Sequence, residues 1–146
     1  MGTGSQGLTD DVAFWRRTSL AWMLIMLAET LHGAVREVFV APLLGDLRAR
    51  QLGVLVGCFI VFVVAWLSAR WMAAHTRRMQ ITAGVMWVVL TLAFEVLLGR
   101  ALGFSWERVL EDYDPARGGL MLLGLGFMGF APMLAARLRT RPRETP

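Results

Sequence analysis

The first apolar stretch of the chain carries three ionisable residues at helical spacing. Glu29, His32 and Arg36 lie at positions i, i+3 and i+7, so an α-helix would place them on one face. Ionisable side chains inside a membrane helix are costly and usually face the interior of the bundle. The spacing therefore predicts a polar site on the inner face of the first helix, with Glu95 as a second carboxylate from a later apolar block.

These residue types are compatible with several kinds of chemistry. Carboxylates and an imidazole in series could relay protons or bind a cation, as they do in transporters. Glu95 or His32 could also be the general base of an enzyme that acts on a lipid, although the sequence has no nucleophile elbow, zinc-protease motif or phosphate loop. Alternatively, Arg36 pairs with Glu95 or Glu29 and the cluster only fixes the register of the helices. We expect the pair between Arg36 and Glu95 in particular.

Metal binding is a weaker interpretation of the same residues. Glu29-x-x-His32 has the ligand spacing of di-iron carboxylate bundles, but it occurs once and the remaining ligands are missing. Cys58 is the only cysteine, which excludes an intrachain disulfide and a cysteine-based metal site, and we interpret it as a small apolar residue. The sequence therefore predicts no metal and no cofactor.

Four apolar blocks separated by arginines position these residues. Hydrophobic residues make up 56% of the 146-residue chain and charged residues only 18%. A helix of 18 residues spans about 27 Å, close to the roughly 30 Å of a bilayer's hydrocarbon core. We predict an all-α integral membrane bundle of four transmembrane helices, with a short interfacial helix between the third and fourth. The predicted spans are residues 18–36, 51–70, 79–99 and 118–137, between an N-terminal segment, 1–17, and a tail, 138–146.

Local signals predict what joins the blocks. Residues 9–17 are expected to form a separate interfacial helix capped by a threonine, and residues 38–50 a loop broken by a proline and a glycine. Ser105 is expected to cap the interfacial helix before the fourth span. Pro132 should kink that span or free a backbone carbonyl.

The start of the first block also allows a rival interpretation. Arg16 and Arg17 precede an apolar run, residues 20–28, as in a signal peptide. No convincing cleavage site follows and Glu29 ends the apolar run, which favours a membrane span.

Gly53-x-x-x-Gly57 in the second block would let another backbone approach closely. The partner is either another helix of the same chain or a second copy in a homo-oligomer. All 15 basic residues are arginines at the edges of apolar blocks, and no basic stripe with aromatic residues is present. The predicted partner is the lipid bilayer, and nucleic acid is excluded.

The arginine distribution predicts the orientation. Nine arginines belong to the N-terminal segment, the second loop and the C-terminal tail, and six to the first and third loops. Because cytoplasmic loops are richer in basic residues, both termini should be cytoplasmic. Glu29, His32, Arg36 and Glu95 then lie in the outer half of the membrane. The loop residues on the same side are Arg48, Arg50, Asp112 and Tyr113.

Several short motifs are spread over about four-fifths of the chain, from the first helix to Arg137. They are Gly33-x-x-Arg36-Glu37 with Pro42 and Gly45 after it, Phe94-Glu95, Gly103-x-Ser105-Trp106, Asp112-Tyr113 and Ala131-Pro132-x-x-Ala135-x-x-Arg137. In these motifs the chain resembles a family of small, uncharacterised bacterial four-helix membrane proteins. The resemblance implies a bacterial inner-membrane location and supplies no activity, substrate or catalytic residue.

The function predicted from these features is the binding or conduction of a small ligand, an ion or a lipid through the outer-half polar site. A membrane-embedded enzyme that acts on a lipid and a structural or assembly subunit are the alternatives.

Overall fold

The computed structural model describes residues 3–140, and this part of the chain is helical with no strand. The helices are α1 (Thr3–Val35), α2 (Ala41–Leu44), α3 (Asp46–Ser68), α4 (Arg77–Ala101), α5 (Trp106–Glu111) and α6 (Met121–Thr140). A π-helical turn, Arg36–Val40, joins α1 to α2, and a 3-10 turn, Pro115–Arg117, precedes α6. The end of the predicted tail, residues 141–146, lies outside the described residues.

Four segments are long and apolar enough to cross a membrane: Asp10–Leu44, Asp46–Ser68, Arg77–Ala101 and Met121–Arg139. Their number and order are those predicted from the apolar blocks, and they indicate a multi-pass membrane protein. Ser105 is the N-cap of α5, as predicted. Its hydroxyl accepts a hydrogen bond of 3.2 Å from the backbone N–H of Arg108.

Two predicted connections are wrong. Residues 9–17 are not a separate helix but part of α1, since no proline or glycine interrupts the hydrogen-bond ladder from there to His32. Residues 38–50 are helical except for Gly45. Pro42 lies in the first turn of α2, where its missing N–H costs nothing, and Gly45 ends the turn at φ 82°.

The four long helices form a ring. α6 packs against both α3 and α4, and α1 packs against α3 and, less extensively, against α4. α4 and α6 approach most closely at two glycines, because a Cβ atom on Gly84 would overlap the carbonyl oxygen of Gly129. α6 continues through the buried Pro132, which has no N–H to donate to the carbonyl of Met128.

Two tryptophans connect α1 to α4 in the half of the bundle where α4 begins and α6 ends. The indole N–H of the fully buried Trp87 donates to the carbonyl of Thr18 at 3.0 Å, and that of Trp22 donates to the hydroxyl of Thr91 at 3.1 Å. Around them lies an apolar core of Ala21, Ile25, Val61, Ala65, Met72, Met128, Ala131 and Ala135. Beyond this half, toward the end of the bundle that carries α2 and α5, α1 and α4 stand on opposite sides of a cavity.

Candidate ligand-binding site

A cavity of about 690 Å³ lies between α1 and α4, with α3 and α6 behind it and the α5 segment at its end. Its volume is within the range of roughly 300–1,000 Å³ that is usual for small-molecule sites. Thr30 and Ala34 of α1 and Leu98 of α4 line the cavity and are exposed. The cavity therefore opens sideways, between α1 and α4.

The end of the cavity nearest the core is apolar. Met26, Val61, Leu125 and Met128 line it. The hydroxyl of Thr91 lies 3.4 Å from the sulfur atoms of both Met26 and Met128. These four side chains are apolar, so the part of the cavity that they line suits hydrocarbon.

The α1 wall carries Glu29, His32 and Arg36, which all line the cavity, as their spacing predicts. Nδ1 of His32 lies 3.4 Å from Oε2 of Glu29, while Oε1 of Glu29 is buried without a hydrogen-bond partner. Nη2 of Arg36 lies 3.7 Å from the exposed carboxylate of Glu37, and its Nε is buried without a partner. Both Glu29 and Arg36 therefore line the cavity and carry a buried polar atom without a hydrogen-bond partner.

Two glycines of α3 make room for these side chains. A Cβ atom on Gly53 would lie 3.0 Å from Cδ of Arg36, and one on Gly57 would lie 3.1 Å from both carboxylate oxygens of Glu29. The Gly53-x-x-x-Gly57 pair is thus used within the chain, the first of the two alternatives drawn from the motif. The homo-oligomer through these glycines stays a prediction.

The α4 wall carries Glu95, which lies within electrostatic range of Glu29 and Asp112. Burial, followed by the nearby carboxylates of Glu95 and Asp112, raises the pKa of Tyr113 to about 12. Tyr113 therefore remains a neutral O–H donor at any physiological pH. Its hydroxyl is buried beside Glu95 without a hydrogen bond of good geometry.

The expected ion pair between Arg36 and Glu95 is not present. Within residues 3–140, the acidic group within 4.0 Å of Arg36 belongs to Glu37, and Glu95 has no arginine at that distance. The physical reason is the direction of the Arg36 side chain, which extends along Gly53 of α3 instead of crossing the cavity to α4. Glu95 therefore presents a carboxylate to the cavity with no cation of the chain against it.

Arg50 connects α3 to the segment that covers the end of the cavity. Its Nη2 lies 3.0 Å from Oδ2 of Asp46, and its Nη1 donates to Asp112. Asp46 also lies 3.7 Å from Arg108 of α5. Nε of Arg50 remains buried and unpaired, so Arg50 both holds the α5 segment and faces the cavity.

The predicted loop candidates divide into two groups. Arg50 and Asp112 line the cavity, and the buried hydroxyl of the half-buried Tyr113 lies beside Glu95, whereas Arg48 is exposed and does not line the cavity. The sequence analysis did not identify Arg108 and Arg117, which both line the cavity. Their position depends on how the α5 segment folds back over α3, and no local motif encodes that contact.

The described residues do not form an evident metal site. Nowhere in residues 3–140 do three histidine, cysteine, aspartate or glutamate side chains come close enough to hold a metal ion. Cys58 lines the cavity next to Gly57 and within electrostatic range of Glu29. The groups of the cavity that can contact a ligand are therefore its carboxylates, its arginines and its apolar end.

Neither a family model, nor a curated protein, nor a solved structure matches this chain. The resemblance to a family of small bacterial membrane proteins consequently depends on the short motifs alone. The fold and site define a helical bundle with four candidate membrane-crossing helices and a laterally open, mixed polar and apolar cavity.

Proposed function

We propose that this protein binds a membrane amphiphile with a phosphate-bearing headgroup in the cavity between α1 and α4. The observation that carries the proposal is the buried, unpaired Nε–H of Arg36 in a cavity whose other end is apolar. A buried donor without a partner is costly, so a ligand that accepts a hydrogen bond from it binds favourably. Phosphate oxygens suit a guanidinium because they accept charge-assisted hydrogen bonds.

The division of the cavity supports an amphiphile over a small soluble ion. Met26 and Met128 line one end, while Arg36 and Arg50 line the other. An acyl chain would lie against the methionines, and the headgroup would lie beyond it among the charged side chains of the cavity. The sideways opening between α1 and α4 faces the lipid side of the bundle, so a lipid could enter without crossing water.

The proposed setting is the bacterial inner membrane with both termini in the cytoplasm. The arginine bias of nine to six supports this orientation, and the motif resemblance supports the membrane. In this orientation Arg36 and Glu95 belong to the outer half of the bilayer. The ligand would then be a lipid of the outer leaflet.

Titration with a short-chain phosphatidylglycerol tests the proposal. Purified protein in neutral detergent should bind this lipid, and native mass spectrometry should detect the complex. Arg36→Gln should weaken binding roughly 10- to 150-fold, since one charge-assisted hydrogen bond is worth roughly 1.5–3 kcal/mol. Arg48→Gln is the matched control, because Arg48 is exposed at the same end and does not line the cavity.

Two results would contradict the proposal. The first is an equal loss of binding for Arg36→Gln and Arg48→Gln, which would mean that surface charge alone attracts the lipid. The second is equally tight binding of an uncharged short-chain diacylglycerol, which would mean that the arginines do not recognise the phosphate.

Catalysis on the same lipid is a second candidate, favoured by the hydrogen bond between His32 and Glu29. A carboxylate at Nδ1 orients an imidazole and leaves Nε2 as a base. Release of a lipid product by wild-type protein, and its loss in His32→Gln, would support this function. Binding without any product would exclude it and leave the binding function intact.

A further inference from the structure

We infer that the preferred ligand is zwitterionic, with a primary ammonium group close to its phosphate, as in an aminophospholipid. This inference rests on the proposed function and names the class of headgroup. It follows from the placement of carboxylates as well as arginines on the walls of the cavity. An arginine site for a plain anion would not need those carboxylates.

Two carboxylates face the cavity from opposite walls without an arginine partner. Glu29 of α1 has a hydrogen bond to His32 through one oxygen only, and its other oxygen is buried and unpaired. Glu95 of α4 has no ion pair within the described residues and lies within electrostatic range of Glu29. Like charges in a site of low dielectric repel each other and an anionic ligand. A ligand cation between them removes this repulsion.

Arg36 follows Glu29 by seven residues, or two helical turns, and both side chains extend along α3. Nη1 of Arg36 would lie 3.5 Å from a Cβ on Gly53, and the Glu29 oxygens would lie 3.1 Å from one on Gly57. These glycines are four residues apart on α3, so the two points at which the side chains contact α3 are about 6 Å apart along the helix axis. A phosphate and an amine joined by an ethylene link span a similar distance.

The chemistry of the acceptors favours a primary amine over a quaternary one. Oε1 of Glu29 is a buried acceptor without a donor, and an ammonium group has three N–H donors to offer. A choline group has none, and proteins bind it with cages of aromatic rings. The aromatic side chains on this cavity are Phe94 and Phe104, whereas the groups near Glu29 are carboxylates and an imidazole.

Competition among three short-chain lipids tests the inference by native mass spectrometry. Phosphatidylethanolamine, phosphatidylcholine and phosphatidylglycerol carry the same phosphodiester and differ in the attached group. Wild-type protein should bind phosphatidylethanolamine at least tenfold more tightly than the other two. Glu95→Gln should remove most of this preference, because the amide has no negative charge to attract the ammonium.

Glu107→Gln is the matched control, since Glu107 is an exposed acid of α5 that does not line the cavity. It should keep the wild-type preference. Arg36→Gln should weaken phosphatidylethanolamine and phosphatidylglycerol by the same factor, because both contain the phosphate. If Glu95→Gln does not fold, Glu29→Gln provides the same test from the opposite wall.

The outcomes separate this inference from the proposed function. Equal binding of phosphatidylethanolamine and phosphatidylglycerol by wild-type protein would overturn the inference and leave lipid binding in place. A preference that persists in the carboxylate variants would also overturn it. Failure of all three lipids to bind would overturn both.

Discussion

The carboxylate of Glu29 can face the cavity because the residue opposite it is a glycine. Gly57 is buried, and its missing side chain leaves the space in which the carboxylate turns toward His32. The charge is only partly satisfied, since one carboxylate oxygen has a partner and the other has none. At this position the polar site and the packing of α1 on α3 depend on the same pair of residues.

A methyl group at position 57 should therefore disturb both. In Gly57→Ala the new Cβ atom would lie 3.1 Å from both Glu29 oxygens, so the carboxylate must move. We expect the variant to unfold at lower temperature in detergent, with a loss of roughly 1–3 kcal/mol, typical of overpacking.

Gly33→Ala is the control for this change, because a Cβ on Gly33 meets nothing within 4 Å. It should be neutral or stabilising by about 0.4–1 kcal/mol, as alanine restricts the unfolded chain. Equal stability of the two variants would mean that Glu29 does not lie against Gly57.

The spacing of Glu29, His32 and Arg36 is enough to predict that they share a wall of the site, because a helix has a fixed period. The contact between Arg36 and Glu95 was predicted from depth alone and is wrong. Depth along a helix says nothing about the width of the gap between two helices. Gly53 has no side chain, so it leaves room on α3 for the side chain of Arg36. The direction of the Arg36 side chain thus depends on a residue of another helix.

At the scale of elements, small residues determine how closely the helices approach. Gly84 and Gly129 bring α4 and α6 into backbone contact, whereas α1 and α4 are held by tryptophan hydrogen bonds at one end only. The separation of α1 from α4 at the other end is what forms the cavity.

Gly84→Ala should be among the most damaging single substitutions in the bundle. Its Cβ atom would overlap the carbonyl oxygen of Gly129, and a backbone atom cannot rotate away as a side chain can. We expect a loss of roughly 3 kcal/mol or more, since α4 and α6 must separate. Thermal unfolding followed by tryptophan fluorescence measures it, because the fully buried Trp87 lies on α4 one turn away.

Gly126→Ala is the matched substitution on α6, where a Cβ meets nothing within 4 Å. It should leave the unfolding temperature unchanged or slightly higher. An unfolding temperature for Gly84→Ala equal to that of Gly126→Ala would contradict the close approach of α4 and α6.

The helix ends show which local sequence patterns predicted the structure correctly. Ser105 caps α5 as predicted, because a cap depends only on its own backbone neighbours. The loop predicted over residues 38–50 failed, because Pro42 was read as a breaker although a proline in a first turn continues a helix. The π-helical turn just before it, Arg36–Val40, follows from no sequence signal we used.

At the scale of the whole molecule, the apolar blocks predict the number of long helices but not their order in the ring. α3 and α4 are consecutive and joined by residues 69–76, yet they pack on opposite sides of α6. Hydropathy identifies apolar segments that are long enough to cross a membrane. Which helices pack together depends on small residues such as Gly84 and Gly129, which allow a close approach. The ring order in turn places both carboxylates on one cavity.

The distribution of arginines predicts how the ring of helices is oriented in the membrane. The start of α1, residues 69–76 and the end of α6 share one end of the bundle, and α2 and α5 share the other. Cysteine labelling distinguishes the two ends in intact cells, because Cys58 is the only native cysteine and can be replaced by alanine. His75 and Glu107 are exposed residues at opposite ends, and changing either leaves the number of arginines unaltered.

In the Cys58→Ala background, Glu107→Cys should react with a membrane-impermeant maleimide in bacterial cells whose inner membrane is intact. His75→Cys should react only after that membrane is permeabilised. The reason is the excess of arginines at the His75 end, which retains that end in the cytoplasm. Labelling of His75→Cys in intact cells, with Glu107→Cys protected, would reverse the orientation and move the cavity to the inner half of the bilayer. Its ligand would then come from the cytoplasmic leaflet, while the contacts of Arg36, Glu29 and Glu95 would be unchanged.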